Sequence, residues 1–159
     1  MRLLDCYLAP YIETEIKKIT PDMIEDLASQ IKEIFLFCFI WSIGCTTTQA
    51  GRDKFDKFMR EQIPKMKINF PEENSIYDWY WNSDKKEWQD WFDTIPSFSV
   101  DIKVPYNEIV VPTTDSIRMK YLLKTLITNM KHVLMPGPTG TGKSVYIQQL
   151  TTFEMTEEY

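Results

Sequence analysis

Eight consecutive residues near the end of the chain concentrate its chemistry: Gly137-Pro138-Thr139-Gly140-Thr141-Gly142-Lys143-Ser144. Their order is glycine, four residues of any type, then glycine, lysine and a hydroxyl residue, the pattern of a loop that binds phosphate. The spacing has a physical reason. Gly137 and Gly142 permit backbone angles and close approach that a Cβ would block. Successive backbone N–H groups then point inward and cradle the phosphate oxygens. Lys143 reaches the β- and γ-phosphates, and the Ser144 hydroxyl ligates Mg²⁺. A helix that opens at this point adds the positive end of its dipole to the same anion. A chance match in a chain of this length occurs roughly once in a few hundred at ordinary glycine usage.

The context that identifies such a loop is a strand before it and a helix after it. His132, Val133, Leu134 and Met135 form a short apolar run that reads as a buried strand. From Val145 onward the chain reads as a helix, with apolar Tyr146, Ile147 and Leu150. Pro136 removes a backbone donor just before Gly137, which predicts an unpaired position at the strand end. Further upstream, residues 108–111 read as another short strand, ended by Pro112. Thr113 or Thr114 then caps a helix with Asp115 in its first turn. Ile117, Tyr121, Leu122, Leu126 and Met130 keep helical spacing to about Asn129.

The first half of the chain has a different character. Residues 1–11 predict a short helix with Leu3, Leu4, Tyr7 and Leu8 on one face, ended or bent by Pro10. Thr20 as N-cap and Pro21 at the first helical position open a long helix. Met23, Leu27, Ile31, Ile34 and Leu36 carry it to about Ile43, and Gly44 is the stop. A second helix follows, with Phe55, Phe58, Met59 and Ile63 on one face and Arg52, Asp53, Lys57 and Arg60 on the other, closed by Pro64. Two aromatic-rich runs, residues 76–81 and 87–91, flank the polar stretch 82–86 and predict a β-hairpin. Four of the five tryptophans lie there. Cross-strand packing accounts for them better than an aromatic binding face. Pro96 and Pro105 punctuate a linker.

The bulk properties narrow the function. The chain has 159 residues, 43% of them hydrophobic, enough for a packed core. A net charge of −5 gives a bulk field that does not favour nucleic acid or anionic membrane. The cysteines Cys6, Cys38 and Cys45 are odd in number and form no CxxC pair, which fits free thiols in a reducing compartment. The most apolar stretch, residues 34–43, falls short of a membrane span. A soluble, intracellular protein is expected.

Three segments in order carry a family resemblance. Phe39-Ile40-Trp41-Ser42-Ile43-Gly44 with Gly51-Arg52-Asp53-Lys54-Phe55-Asp56-Lys57-Phe58 resembles the helical segment that closes the second AAA+ module of dynein heavy chains. The hairpin with Trp88 and Trp91 resembles the extension between the second and third modules. Ile109-Val110-Val111-Pro112-Thr113-Thr114-Asp115-Ser116-Ile117-Arg118, then Tyr121-Leu122-Leu123, then the phosphate loop, resembles the opening of the third. The wording of these motifs is closer to axonemal, especially inner-arm, heavy chains than to the cytoplasmic one.

The resemblance implies an α/β fragment: a helical lid over residues 1–65, a hairpin extension and linker over 66–105, and the start of a P-loop AAA+ module over 106–159. It implies a motor built as a ring of six modules that moves along microtubules in the axoneme of a cilium or flagellum. Its partners would be the rest of the heavy-chain ring, other dynein subunits and microtubules, with no nucleic acid and no membrane. The third module resembles a regulatory site for ATP and Mg²⁺. Carried onto this chain, residues 137–144 and Val145 would hold the phosphates, with Ser144 on the metal. Val110, Val111, Pro112 and Thr113 would lie beside the adenine. Pro136 departs from the small or β-branched residue usual at its position. A phosphate-loop ATPase also needs an acidic strand end for Mg²⁺ and groups that position water. No sequence after the loop supplies them, so the chain reads as part of a larger protein and is not expected to hydrolyse ATP alone. Two other readings stay open: a structural connector between ring modules, and a truncated, unrelated P-loop NTPase.

Overall fold

The computed structural model describes residues 2–14, 20, 23–98 and 109–154. The chain divides into two units, Met1–Asp90 and Trp91–Tyr159. The first holds α1 (Arg2–Thr14), α2 (Met23–Ser42), α3 (Gln49–Gln62) and a hairpin of β1 (Trp79–Asn82) and β2 (Glu87–Asp90). The second holds α4 (Thr114–Thr128) and α5 (Lys143–Gln149), followed by a wider π-type turn over Leu150–Glu154. The protein is therefore mostly helical, with a small two-stranded antiparallel sheet.

In the first unit α2 is the central element. Ile34, Leu36, Phe37, Cys38 and Ile40 are all buried. Leu36 and Ile40 join Met59 and Ile63 from α3 and Ile68, Phe70, Ile76 and Tyr77 from the connection to the hairpin. On the other side Tyr7 of α1 meets Phe37 edge-on at 5.5 Å. Ile24–Thr46 is long and apolar enough to cross a membrane, more than the ten residues singled out by sequence. Its packing is that of a core helix, with buried Gln30 and Glu33 among its apolar residues. Ile31, expected on the buried face, is 39% exposed. The proposed cap at Thr20 and Pro21 lies partly outside the described residues, and the helix is described from Met23.

Two expectations about helix ends change. α1 runs through Pro10 to Thr14, since the missing N–H removes one hydrogen bond but leaves the rest of the ladder. Gly44 stands near the end of α2, but not as a left-handed cap, for its φ is not positive. Its role is space. A Cβ on Gly44 would lie 2.5 Å from Phe55 Cε1 and 2.7 Å from the Tyr77 hydroxyl oxygen. Phe58, expected beside Phe55 and Met59, is 54% exposed; the buried face of α3 is Met59 with the flanking Ile63.

The hairpin forms where the aromatic runs predict it. Trp81 pairs with Trp88 and Asn82 with Glu87. Asn82 Oδ1 accepts from the backbone N–H groups of Asp84 and Lys85, closing the turn, and Lys86 takes the left-handed conformation that lets the chain reverse. Trp81 and Trp88 meet edge-on at 5.6 Å, and Phe70 meets Trp88 at 4.6 Å. These are packing contacts of the kind that holds small sheets together. Trp91 does not belong to the pair. β2 ends at Asp90, and Trp91 starts a helical turn in which its carbonyl accepts from Thr94 N–H. Its ring instead packs on Tyr121 of α4 at 5.2 Å.

Polar side chains set the path into the hairpin. Arg60 donates to the carbonyls of Pro71, Glu73 and Asn74, the last at 2.7 Å. Asp56 accepts from Ile76 N–H at 2.7 Å and from the Ser75 hydroxyl. Ser75 and Asp78 form a reciprocal capping box on the short turn before β1. All three cysteines are free. Burial pushes the Cys38 thiol up to about 12, well outside the range of reactive thiolates.

Candidate functional site

The second unit contains the phosphate-loop motif. α4 precedes it, and Thr113 is the cap: Ser116 N–H donates to Thr113 Oγ1, and Thr113 N–H donates to Ser116 Oγ. Asp115 lies in the first turn, as the sequence predicts. The buried face of α4 is formed by Ser116 and Leu123. Met130, read as part of the apolar face, is 79% exposed with φ 56°. It follows the last turn: Met130 N–H donates to Ile127 O and Lys131 N–H to Leu126 O. That is the Schellman arrangement, with methionine where glycine is usual.

No strand forms at 132–135 or at 109–111, the described part of the run expected at 108–111. Residues 131–138 and the described residues 109–113 carry no ladder, and among the described residues β1 and β2 are the only paired strands. A strand exists only through hydrogen bonds to a neighbour, and the apolar run shows its lack of one: Leu134 is 88% exposed and Val133 38%. Beside it, Leu123 and Ile127 of α4, Met130, Val133, Met135 and Ile147 line an apolar groove of about 510 Å³. None of residues 137–144 lines that groove.

The loop itself has the backbone that its glycines allow. Gly140 and Gly142 have φ of 79° and 76°, a region that costs other residues dearly. Gly142 is the N-cap of α5, and its carbonyl accepts the first helical bond, from Tyr146 N–H. Lys143 is the first residue of the helix, but its side chain turns back. Its ammonium donates to the Pro138 carbonyl and, at 2.9 Å, to Thr141 Oγ1. Thr141 Oγ1 in turn donates to the Pro138 carbonyl at 3.0 Å. A Cβ on Gly137 would touch the Lys143 stem and ammonium at 3.5 Å. Pro138, Thr141, Gly137 and Lys143 are thus brought together around one cation. Pro136 and Thr139 are exposed, as are Ser144 and Val145 in the first turn of α5.

The run 110–113 is placed before α4. Val110 and Pro112 are half-buried and Val111 is 56% exposed. Among the described residues no hydrogen bond joins it to residues 137–144, and the Thr113 hydroxyl is committed to the cap. Sequence reading missed the contact of Tyr146, whose ring lies 3.7 Å from where a Gly142 Cβ would be. Its position one turn beyond the loop, with Ile147 and Leu150 as apolar neighbours, gave only a helical-face signal. Leu150 is the fully buried member of that face.

The chain is similar to known proteins in both of its units. Residues 1–93 match the family profile of the dynein heavy chain AAA lid domain. Residues 98–159 match that of the P-loop containing dynein motor region. The first match alone covers more than half of the chain, and the chain belongs to the dynein heavy chain family. Among its relatives is dynein axonemal heavy chain 1 of Mus musculus, 32% identical over the whole of this chain and 4% of the relative. Dynein axonemal heavy chain 2 of Mus musculus is 31% identical over 91% of this chain and 3% of the relative. Dynein axonemal heavy chain 6 of Homo sapiens is 35% identical over 74% and 3%. The chain therefore spans only a few hundredths of the length of the curated relatives it matches.

Proposed function

We propose that this chain is a segment of an axonemal dynein heavy chain that supplies the phosphate-loop half of a regulatory ATP site. Residues 1–65 act as the lid of one AAA+ module, 66–105 as the hairpin extension and linker, and 106–159 as the opening of the next module. The observation that carries the reading is the inward-turned Lys143 ammonium, held over a loop whose glycines at 140 and 142 are left-handed. A phosphate placed there would meet the ammonium and backbone N–H groups together, the donor set that nucleotide loops use. Pro138 and Thr141 hold the cation in the meantime and would be exchanged for phosphate oxygens. Gly137, Pro138, Thr139 and Gly140 form the arm of the loop, Ser144 is the Mg²⁺ ligand, and Val145 flanks it. Mg²⁺ held by the Ser144 hydroxyl would supply charge neutralisation for the phosphates. Val110, Val111, Pro112 and Thr113 lie beside the adenine. The larger partners are the rest of the heavy-chain ring, other dynein subunits and microtubules, in the cytoskeleton of a cilium or flagellum.

The test is an ATP titration of a chain that continues through the whole P-loop domain, as wild type and as Lys143→Ala, with and without Mg²⁺. Loss of a charge-assisted contact worth roughly 1.5–3 kcal/mol weakens binding about tenfold to a hundredfold. Ser144→Ala costs affinity mainly when Mg²⁺ is present. Equal affinities for wild type and Lys143→Ala would make the loop a structural turn and leave a connector between ring modules as the function.

A further inference from the structure

The phosphate loop closes on its own cation. A lysine ammonium carries three N–H donors and no acceptor. In Lys143 one donor goes to the Pro138 carbonyl and one, at 2.9 Å, to Thr141 Oγ1. The Thr141 hydroxyl gives its own proton to the same Pro138 carbonyl at 3.0 Å. The three groups therefore form a cycle in which each is bonded to the other two. On a further side the Lys143 stem lies along Gly137, where an added Cβ would stand 3.5 Å from both Cδ and Nζ. All four residues belong to the loop itself.

The two acceptors differ in what they owe to the sequence. Every residue has a carbonyl, so the Pro138 oxygen is there whatever side chain stands at 138. The Thr141 hydroxyl is a side-chain choice, whereas the backbone N–H at 141 survives any substitution except proline. The β-branch of threonine restricts χ1, which holds the hydroxyl in place at little further cost. With its proton on Pro138, the hydroxyl turns its lone pairs to the ammonium. To that ammonium, the carbonyl and hydroxyl oxygens together stand where two phosphate oxygens would. We propose that the Thr141 hydroxyl is a built-in competitor of the nucleotide: it occupies Lys143 while the site is empty and so lowers the affinity with which the loop takes a phosphate. This competition rests on the reading of residues 137–144 as a nucleotide loop. A phosphate wins the exchange because its oxygens are charged and the loop's own are neutral, but it first has to displace them.

Exposure sets the size of the effect. Pro138 and Thr141 are exposed and Lys143 is half-buried, so water replaces the hydroxyl when the cycle opens. Only the net strength of one hydrogen bond then counts, a factor of about two to ten between closed and open loop. Apparent affinity falls in proportion to the fraction of molecules whose lysine is free. Removing the hydroxyl therefore tightens binding. The sign is diagnostic, since loss of a phosphate ligand or of loop order weakens binding instead.

The experiment titrates Mg²⁺–ATP into a chain that continues through the whole P-loop domain, as wild type, Thr141→Val, Thr141→Ser, Lys143→Ala and the double variant Thr141→Val with Lys143→Ala. Thr141→Val keeps the shape and removes the acceptor. It is expected to bind about two- to tenfold more tightly than wild type, and Thr141→Ser, which keeps a hydroxyl, to gain less. In the Lys143→Ala background the gain from Thr141→Val disappears, because the hydroxyl acts through the ammonium. Before nucleotide is added, the ¹⁵N-labelled Lys143 ammonium of wild type exchanges its protons more slowly than that of Thr141→Val. Unchanged or weaker binding by Thr141→Val, while Lys143→Ala still loses affinity, would overturn the competitor and leave the nucleotide loop standing. A gain that persists without Lys143, or equal exchange of the ammonium in both proteins, would also overturn it. Equal affinities for wild type and Lys143→Ala would remove the nucleotide-loop reading and the competitor with it.

Discussion

Replacing Gly44 by alanine separates two accounts of why that residue is glycine. If it served only to end α2, alanine would be neutral or would gain up to about 1 kcal/mol from lower backbone entropy. The structure requires the opposite. The new Cβ would stand 2.5 and 2.7 Å from two carbons of the Phe55 ring and 2.7 Å from the Tyr77 hydroxyl oxygen. Those distances are far inside contact, and neither neighbour is a flexible chain end. Phe55 packs against the core, where Phe39 meets its ring at 5.9 Å. Tyr77 is 6% exposed, with Arg52 above its ring at 5.5 Å. Relief demands moving an aromatic ring in a packed core, which costs about 1–3 kcal/mol, and alanine's backbone gain offsets only part of it. With a urea slope near 2 kcal/mol per M, the midpoint falls by roughly 0.5–1.5 M. The assay is urea unfolding of the chain followed by far-ultraviolet circular dichroism and tryptophan fluorescence. Phe55→Leu in the Gly44→Ala background should return part of the loss, because it removes the ring that the methyl strikes. An unchanged or higher midpoint for Gly44→Ala would refute the reasoning.

Two further perturbations test other parts of the fold. Arg60→Ala removes the donor shared by three backbone carbonyls before the hairpin and its stacking on Phe70; unfolding by urea should show a loss of about 1–3 kcal/mol, and Arg60→Lys should recover little because a single ammonium lacks the fork. Met130→Gly relieves a left-handed φ of 56° and should stabilise the second unit by about 1 kcal/mol, read from thermal melting of the α4 signal.

The legible parts of this chain were those set by local chemistry. Thr113, one of the two caps read from the sequence, starts α4 through its side-chain bond to nearby backbone, and Asp115 lies in the first turn as expected; the return bond from Ser116 was not read. The hairpin was visible in alternating aromatic runs around Asn82, whose side chain closes the turn. The phosphate loop was visible in its glycine, lysine and serine spacing, and Gly142 with φ 76° answers a backbone requirement that other residues do not meet cheaply. What remained hidden depends on distant neighbours. An apolar run such as 132–135 is a strand only when another strand lies beside it, and periodicity says nothing about that. Gly44 read as a helix stop because the rings that crowd it come from positions 55 and 77. Arg60 read as a solvated charge, since its three carbonyl partners lie beyond the end of its own helix. In the site, the motif named Lys143 but not the Pro138 carbonyl and Thr141 hydroxyl that hold its ammonium, nor the Tyr146 ring beside Gly142.

The central claim is that the loop amides and Lys143 receive a phosphate chain, and the most direct measurement reads those amides. Mg²⁺–ATP is titrated into a ¹⁵N-labelled chain that continues through the whole P-loop domain, with shifts followed at Gly140, Gly142, Lys143 and Ser144. These resonances are predicted to move together along one saturating curve, and to move far less in Lys143→Ala at the same nucleotide concentration. Unmoved loop resonances at millimolar ATP, or shifts confined to the apolar groove around Leu123 and Ile147, would contradict the claim.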